Sequence, residues 1–257
     1  MKANQRLLIM LFASAVFSIS VTRAQLFSNI SIGANGGAYV YQGDLTPSFL
    51  GATNTASPGF SIYLQKALND YLSFRLNFSA SKLKADESKY DDAFRQSRSF
   101  SFTTPLKELS GLIVWNIKGD NFTNYGKSPY LFTGIAASFL NVKPDYSRVD
   151  TAAIKDVELL ANISRDVKNG TPDILAVIPL GVGIEFPLSR KLFLTTDVVY
   201  RFSFSDYIDG FSLSANPSHK DSYYSANIGL RYRFYEGDDS AGGKGKKNKT
   251  GCPANIY

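Results

Sequence analysis

Residues 222–234 read Ser222-Tyr223-Tyr224-Ser225-Ala226-Asn227-Ile228-Gly229-Leu230-Arg231-Tyr232-Arg233-Phe234. Tyr224, Ala226, Ile228, Leu230, Tyr232 and Phe234 alternate with Ser225, Asn227, Gly229, Arg231 and Arg233. Period-two alternation makes this a strand with one apolar and one polar face. In a soluble sandwich the apolar face would meet a core. In a transmembrane barrel it meets lipid, and the arginines line the lumen. The closing aromatic, Phe234, favours lipid. The polar, lysine-containing tail beyond it, ending in Cys252 and Tyr257, is too irregular to be another strand.

The N-terminus carries Lys2 and Arg6, then the apolar run 7–13, then small residues up to Thr22-Arg23-Ala24. Basic, apolar and small-residue zones in that order predict a secretory signal over 1–24, cleaved after Ala24. The apolar run is short of the ~20 residues of a spanning helix. The absence of a cysteine at the cleavage site argues against lipoprotein processing. No later stretch carries ~18 consecutive apolar residues, so strands are the remaining way to cross a membrane.

Composition agrees with strands: 44% of residues are hydrophobic and 14% aromatic, with only two methionines, which suits aromatic-girdled barrel walls. The net charge of +6 is scattered over strand-like segments and the tail instead of lining one helix or groove, so no nucleic-acid partner is expected.

Working back from 222–234, seven further strands are predicted at 30–45, 60–68, 72–82, 100–117, 130–140, 176–186 and 192–204. Over 72–82, Leu72, Phe74, Leu76 and Phe78 oppose Ser73, Arg75, Asn77 and Ser79; over 192–204, Leu192, Leu194, Val198, Tyr200 and Phe202 oppose Asp197 and Arg201. The links at 69–71 and 188–191 are tight and 119–128 is intermediate, whereas 46–57, 85–97, 141–173 and 205–221 are long. Short and long links alternate, as they do in outer-membrane barrels with periplasmic turns and external loops. The expectation is an all-β, eight-stranded antiparallel transmembrane β-barrel over 25–235, both termini periplasmic, followed by a flexible periplasmic C-terminal tail over 236–257.

Within the longest link, Ile154, Val157, Leu160 and Ile163 have helical spacing, with Asp150 or Thr151 as the expected cap. Two roles stand for such a helix: packing over the barrel mouth, or docking a partner.

The lumen-facing parity collects Arg75, Glu108, Glu185, Asp197, Arg201, Arg231 and Arg233. In an eight-stranded barrel, whose interior side chains can fill, these charges are expected to pair into a plug, since an unpaired buried charge is costly. A narrow solute path is the other reading. The single histidine, His219, lies beside Pro217, Ser218 and Lys220, with Asp206, Asp209 and Asp221 nearby. A Ser-x-His pattern near acids is common by chance, so a solvated loop residue is expected and no catalytic, metal or cofactor site is assigned. Gly36-Gly37 and Gly181-x-Gly183 sit inside strands with no following helix, which fits bends or close packing better than a phosphate cradle.

Cys252 is the only cysteine, near Lys244, Lys246, Lys247 and Lys249 and their interleaved glycines. Either it is incidental to a disordered tail, or the tail is a tether whose thiol pairs with another protein.

IPLGVGIEFPLS (178–189), VYRFSFSDYIDGFS (199–212), YYSANIGLRYRF (223–234) and the early GGAYVYQGDL (36–45) together resemble, in order and spacing, the PorG-like outer-membrane barrel family of Bacteroidota. The family pattern resembles Asp-Tyr-Leu-Asp-Asp where this chain has Asp206, Tyr207, Ile208, Asp209 and Gly210; the first, second and fourth positions match and Gly210 departs. Loop 141–173 does not look like the family's usual one. The resemblance implies a non-catalytic outer-membrane component of the type IX secretion and gliding machinery, embedded in outer-membrane lipids. Its implied partners are a periplasmic ring of a PorK-like lipoprotein and a PorN-like protein, together with other outer-membrane secretion components. It makes the tail the ring-facing element, with Cys252 a candidate disulfide partner. From the transport class, the alternative is a small eight-stranded channel or receptor of OmpA/OmpW type; a rim hydrolase using His219 is the third reading.

Overall fold

The computed structural model describes residues 29–48, 50–123, 126–149, 156–215 and 220–234. The expected signal over 1–24 and the tail over 236–257 lie outside them, as do Ser218 and His219.

Eight long strands form the wall: β1 (Ile30–Gln42), β2 (Ser57–Ala67), β3 (Leu72–Asp86), β4 (Ser101–Asn116), β5 (Ser128–Leu140), β7 (Ile174–Pro187), β8 (Leu192–Ser203) and β9 (Ser222–Arg233). A three-residue strand, β6 (Lys143–Asp145), pairs with the upper part of β4. All neighbours are antiparallel, and the β3–β4 pairing joins the two ends of the sheet, so the barrel is closed. Closure leaves the wall without an open sheet edge, the condition for crossing hydrocarbon.

Register fixes the barrel's geometry. Following directly opposed residues once around the wall leads from Ile30 through Lys66, Phe74, Ile113, Thr133, Leu180, Tyr200 and Tyr224 back to β1 at Val40, ten residues from the start. A shear of that size over eight strands corresponds to a tilt of about 40°.

The exterior is apolar. Ile62, Leu64, Leu76, Ile113, Val182 and Leu230 form an exposed aliphatic band. Tyr71, Trp115, Tyr232 and Phe234 ring it near the short turns, and Phe60, Phe139, Phe202 and Phe204 lie toward the long loops. An aliphatic belt between aromatic girdles is the pattern lipid selects. The side chains of 223, 225, 227, 231 and 233 of β9 face inward, with Gly229 in the same register, and 224–234 of the opposite parity face outward, following the alternation in the sequence.

Short connections at 68–71, 117–127 and 188–191 lie at one rim, and the long ones at 43–56, 87–100, 141–173 and 204–221 at the other. Asn69 builds the first turn by accepting from the Tyr71 and Leu72 amides at 2.9 and 2.7 Å. Differences from the sequence-based boundaries are small. β1 ends at Gln42 instead of 45 because the chain turns at Gly43, whose carbonyl accepts from the Thr46 amide at 3.1 Å.

The long loop holds the expected helix, here α2 (Val157–Asn169), but with a different cap and face. The cap is Asp156, not Asp150 or Thr151: its carboxylate accepts from the Glu158 and Leu159 amides at 2.9 and 3.2 Å, satisfying first-turn donors. Residues 150–155, Ile154 among them, lie outside the described set. Val157 is 79% exposed, while Leu159 is buried and Ile163 packs on the core. The inward stripe is therefore shifted from the predicted one. A second helix, α1 (Ala93–Arg98), had no periodic signal: it is six residues long and capped by Asp92, which accepts from the Arg95 amide at 2.9 Å.

Candidate functional site

Two filled regions occupy the barrel: a charged lumen, and a lid folded over the mouth on the long-loop side. All seven lumen candidates, Arg75, Glu108, Glu185, Asp197, Arg201, Arg231 and Arg233, are buried.

Nearest the mouth, Glu108 on β4 accepts from Arg201 Nε at 3.1 and 2.9 Å and from the Tyr223 hydroxyl at 2.6 Å. Arg201 Nη1 donates to Ser225 at 2.9 Å, and its guanidinium lies 5.2 and 5.3 Å from the ring centroids of Tyr39 and Tyr223. A buried ion pair is tolerable when its remaining hydrogen-bonding capacity is also met, and here three strands supply the partners.

In the middle, pairing takes another form. Asp197 accepts from Asn227 at 2.7 Å, Tyr130 at 3.3 Å and Asn35 at 3.4 Å. Arg75 donates to Gln65 at 2.9 Å and lies 4.3 Å from the Tyr63 ring centroid and 5.3 Å from those of Tyr130 and Phe132. The expectation that each lumen charge finds an opposite charge thus holds for two pairs only. Arg75 meets aromatic faces, and Asp197 meets amides and a phenol, because a ring quadrupole or a set of oriented donors also compensates a charge.

Those rings have room because glycines stand opposite them. Gly33 is directly across from Tyr63, Gly183 from Tyr130 and Gly181 from Phe132. A Cβ on Gly181 would come within 2.1 Å of the Phe132 ring. The Gly181-x-Gly183 spacing is close packing: the rings lie flat over bare backbone and carry Arg75 above them.

At the short-turn end, Glu185 and Arg231 form an ion pair, and Arg231 donates to Ser31 at 3.2 Å. The Arg231 and Arg233 guanidiniums both lie against the Phe193 ring, 4.4 and 4.6 Å from its centroid. The 117–127 turn closes this end: Asp120 accepts from Asn116 at 2.5 Å and from Ser128 at 2.6 Å, and Arg233 donates to the Thr123 carbonyl at 3.4 Å. Two cavities along this lumen have volumes of about 20 and 10 Å³, roughly the room of a single water.

The lid is an aromatic core. Phe100 stacks on Phe211 with centroids 4.4 Å apart, and Tyr146 packs edge-on against both. Leu45, Leu83, Ile208 and Tyr223 close the cluster beneath. Glu87, fully buried, accepts from Arg95 at 3.1 Å and from Arg98 Nε at 2.9 Å, and Arg98 donates to the Ser214 carbonyl at 3.2 Å. On α2, Asp166 accepts from the Leu213 and Ser214 amides at 3.0 and 2.9 Å and from the Ser214 hydroxyl at 2.6 Å. Loops 87–100, 141–173 and 204–221 are thereby tied together.

The family-like motif sits in this lid. Asp206 accepts from Ser212 at 2.7 Å, and Asp209 accepts from the Phe211 amide at 2.8 Å and from the Tyr41 hydroxyl at 2.6 Å. Asp221 contacts the same hydroxyl at 2.5 Å and accepts from the Ile208 amide at 3.0 Å. Tyr207 is half-buried, with its amide donating to Ser205 at 3.2 Å. Gly210, where the family pattern has Asp, has φ +89° and backs onto Pro144; a left-handed position is one Gly fills without strain and Asp tolerates. Burial, and then the charge of Asp221, hold the Asp209 carboxyl well above the usual carboxylate range; burial pushes Asp221 up to about 7. Sequence reading noted Asp206 and Asp209 as positions of the family-like motif and, with Asp221, as neighbours of His219, but not their contact with Tyr41. Their partner, Tyr41, is 168 residues from Asp209 along the chain, and no local signal links them.

Cys252, Lys244, Lys246, Lys247 and Lys249 lie outside the described residues. Among the described residues no three or more His, Cys, Asp or Glu are grouped to hold a metal ion, and no helix is long and apolar enough to cross a membrane. A closed, even-stranded antiparallel barrel with an apolar exterior and polar interior is the architecture that spans outer membranes, so the chain is an outer-membrane barrel.

Among solved structures the chain is similar to Neisserial surface protein A (NspA): 11% identity, 80% of this chain and 98% of that one, TM-score 0.47. It is similar to Ail, the attachment invasion locus protein of Yersinia pestis, at 10% identity over 79% and 97%, TM-score 0.41. A major outer membrane protein from Thermus thermophilus matches at 14% identity over 80% and 99%, TM-score 0.40. No curated protein matches significantly. The profile of one family, described as a domain of unknown function (DUF6089), matches residues 5–235, and the chain belongs to that family.

Proposed function

We propose that the chain is a non-catalytic outer-membrane subunit of the type IX secretion and gliding machinery, whose barrel is an anchor and whose tail docks a periplasmic ring of a PorK-like lipoprotein and a PorN-like protein. The observation that carries the reading is the sealed lumen. From the lid through Glu108–Arg201, Asp197 and Arg75 down to Glu185–Arg231, side chains fill the bore, which supports a role played by the protein's surfaces and extensions instead of by transport through it. The resemblance of 36–45, 178–189, 199–212 and 223–234 to PorG-like barrels supplies the machinery. Alternating short and long connections support short turns and both termini in the periplasm.

The test is affinity purification from solubilised outer membrane with and without the residues after Phe234. Recovery of PorK-like and PorN-like proteins with the full chain and their loss without the tail is expected; equal recovery in both overturns the docking role. The covalent form of the tether is read separately. On non-reducing gels of native membranes, wild type should carry a high-mass band that Cys252→Ser lacks, and identical migration ends that part.

A small receptor of OmpA/OmpW type is the second reading, favoured by the ordered lid, since loops on a rigid scaffold often carry binding. Its channel form is disfavoured by the filled bore.

A further inference from the structure

The outward-facing basic residues of the wall strands on the long-loop side are confined to one sector. Among the described residues Lys82 and Lys84 lie on β3, Lys107 on β4 and Lys143 on β6. The register makes them neighbours: Lys84 and Lys143 are both directly opposite Thr103, and Lys107 is opposite Ala80, two residues from Lys82. At the same end, β1, β2, β5, β7, β8 and β9 turn Ala38, Phe60, Phe139, Ile178, Phe202 and Tyr224 outward instead.

Two adjoining grooves share Lys84. The upper one, about 410 Å³, is lined by Lys84, Lys89 and Lys143 with the hydroxyl-bearing Thr55 and Thr103. Its carboxylates are engaged locally: Asp86 pairs with Arg148 at 3.1 Å, and Asp145 accepts from the Ser147 amide at 2.9 Å. The lower one, about 550 Å³, runs down the wall between β2 and β3, lined by Pro58, Phe60 and Ala80 and overhung by Lys82. Ala80 lies directly opposite Phe60, and its small side chain leaves the trough open. A recess bearing three lysines above and an apolar trough below, on a face that meets lipid, match a molecule with an anionic head and acyl chains.

We propose that this sector is a binding site for a phosphorylated acyl glycolipid of the outer leaflet. Lys84, Lys89 and Lys143 hold its phosphate, Lys82 and Lys107 contribute from below, and an acyl chain lies along Phe60 and Ala80. The outer-leaflet assignment rests on the reading that the long loops lie outside the cell.

The test uses the purified full chain in nonionic detergent, with native mass spectrometry to count bound lipid. The probes are lipid A carrying its phosphates and the same lipid A after phosphatase treatment. Wild type is expected to retain the phosphorylated form; Lys82→Gln/Lys84→Gln/Lys107→Gln/Lys143→Gln is expected to lose about tenfold or more of that retention, and Ala80→Trp to reduce it by filling the trough. Heat-modified gel mobility shows that each variant is folded. If the quadruple variant does not fold, the pairs Lys82→Gln/Lys84→Gln and Lys107→Gln/Lys143→Gln give the same reading. Equal retention of both lipid A forms, or undiminished retention by the folded variants, overturns the proposal, as does displacement of the lipid by millimolar inorganic phosphate alone. Orientation is read independently by labelling Val157→Cys, in a Cys252→Ser background, on intact cells with a membrane-impermeant maleimide. Labelling is expected, and labelling only after permeabilisation overturns the outer-leaflet assignment. No periplasmic partner is present in the lipid assay, so failure of the docking role leaves its result intact.

Discussion

Tyr41 and Asp209 meet through a 2.6 Å hydrogen bond although 168 residues separate them, and the same phenol lies 2.5 Å from Asp221. A hydroxyl has one proton to donate, so both contacts are hydrogen bonds only when one of the two carboxyls carries a proton of its own. Burial and mutual repulsion raise Asp209, and burial raises Asp221 to about 7. A folded-state value raised above the unfolded one, about 3.9, stabilises the lid fully below that pH, and the contribution is lost as pH rises through the folded value. Protection factors of the amides over 204–215, which remove the intrinsic base-catalysed rise of exchange with pH, should therefore be higher at pH 5 than at pH 8.5. Asp209→Asn, which needs no shared proton, should flatten the dependence. A flat profile in wild type would refute the shared proton.

The Arg201–Glu108 pair is buried and further held by Ser225, which accepts from Arg201, and by Tyr223, which donates to Glu108. Arg201→Met leaves a buried carboxylate without its cation and should cost about 3–5 kcal/mol. Urea unfolding of the reconstituted barrel measures it, and the double change Arg201→Met with Glu108→Gln should recover part of the loss, since neither residue then carries a charge.

Planar bilayers holding the purified chain should show no steady current. The cavities of about 20 and 10 Å³, one lined by Arg75 and the other by Arg231, are too small to give ions a path. A reproducible unitary conductance would contradict the sealed lumen and revive the channel reading.

Two glycines should respond oppositely to a methyl group. A Cβ on Gly134 would stand 2.0 Å from the Gly111 carbonyl oxygen, whereas one on Gly36 meets nothing within 4 Å. Gly134→Ala should destabilise the barrel by about 1–3 kcal/mol, the usual cost of overpacking against atoms that cannot move aside. Gly36→Ala should fold with wild-type mobility. Thermal shifts of the gel-resolved folded form compare the two.

Much of the wall was legible along the chain because a strand states its two faces locally. Ser225 to Phe234 alternates residue by residue, and the structure keeps that parity without a slip. Arg75, Asp197, Arg201 and Arg231 were placed in the lumen by the same rule. Their partners were not, since which strands face each other across the bore depends on closure and shear. Arg75 resting over Tyr63, Tyr130 and Phe132 required three strands and the opposed Gly33, Gly183 and Gly181. The lid was least visible. Its helix was foreseen, but Asp156 caps it in place of Asp150 or Thr151 and Leu159 replaces Val157 on the inward face. A periodic pattern alone does not say which side of a short helix a distant loop will cover.

By itself, then, the order of residues determined a strand-built wall with an apolar outside, a charged inside and short and long links in alternation, because period-two patterning and turn chemistry act over a few neighbours. Tertiary structure decided what those charges and loops do. Closure at a shear of ten set Glu108 against Arg201 and Glu185 against Arg231, folded Tyr41 between Asp209 and Asp221, and gathered four lysines from three strands on one sector of the rim. Each of these joins residues distant in sequence, and their proximity is fixed only when the sheet meets itself.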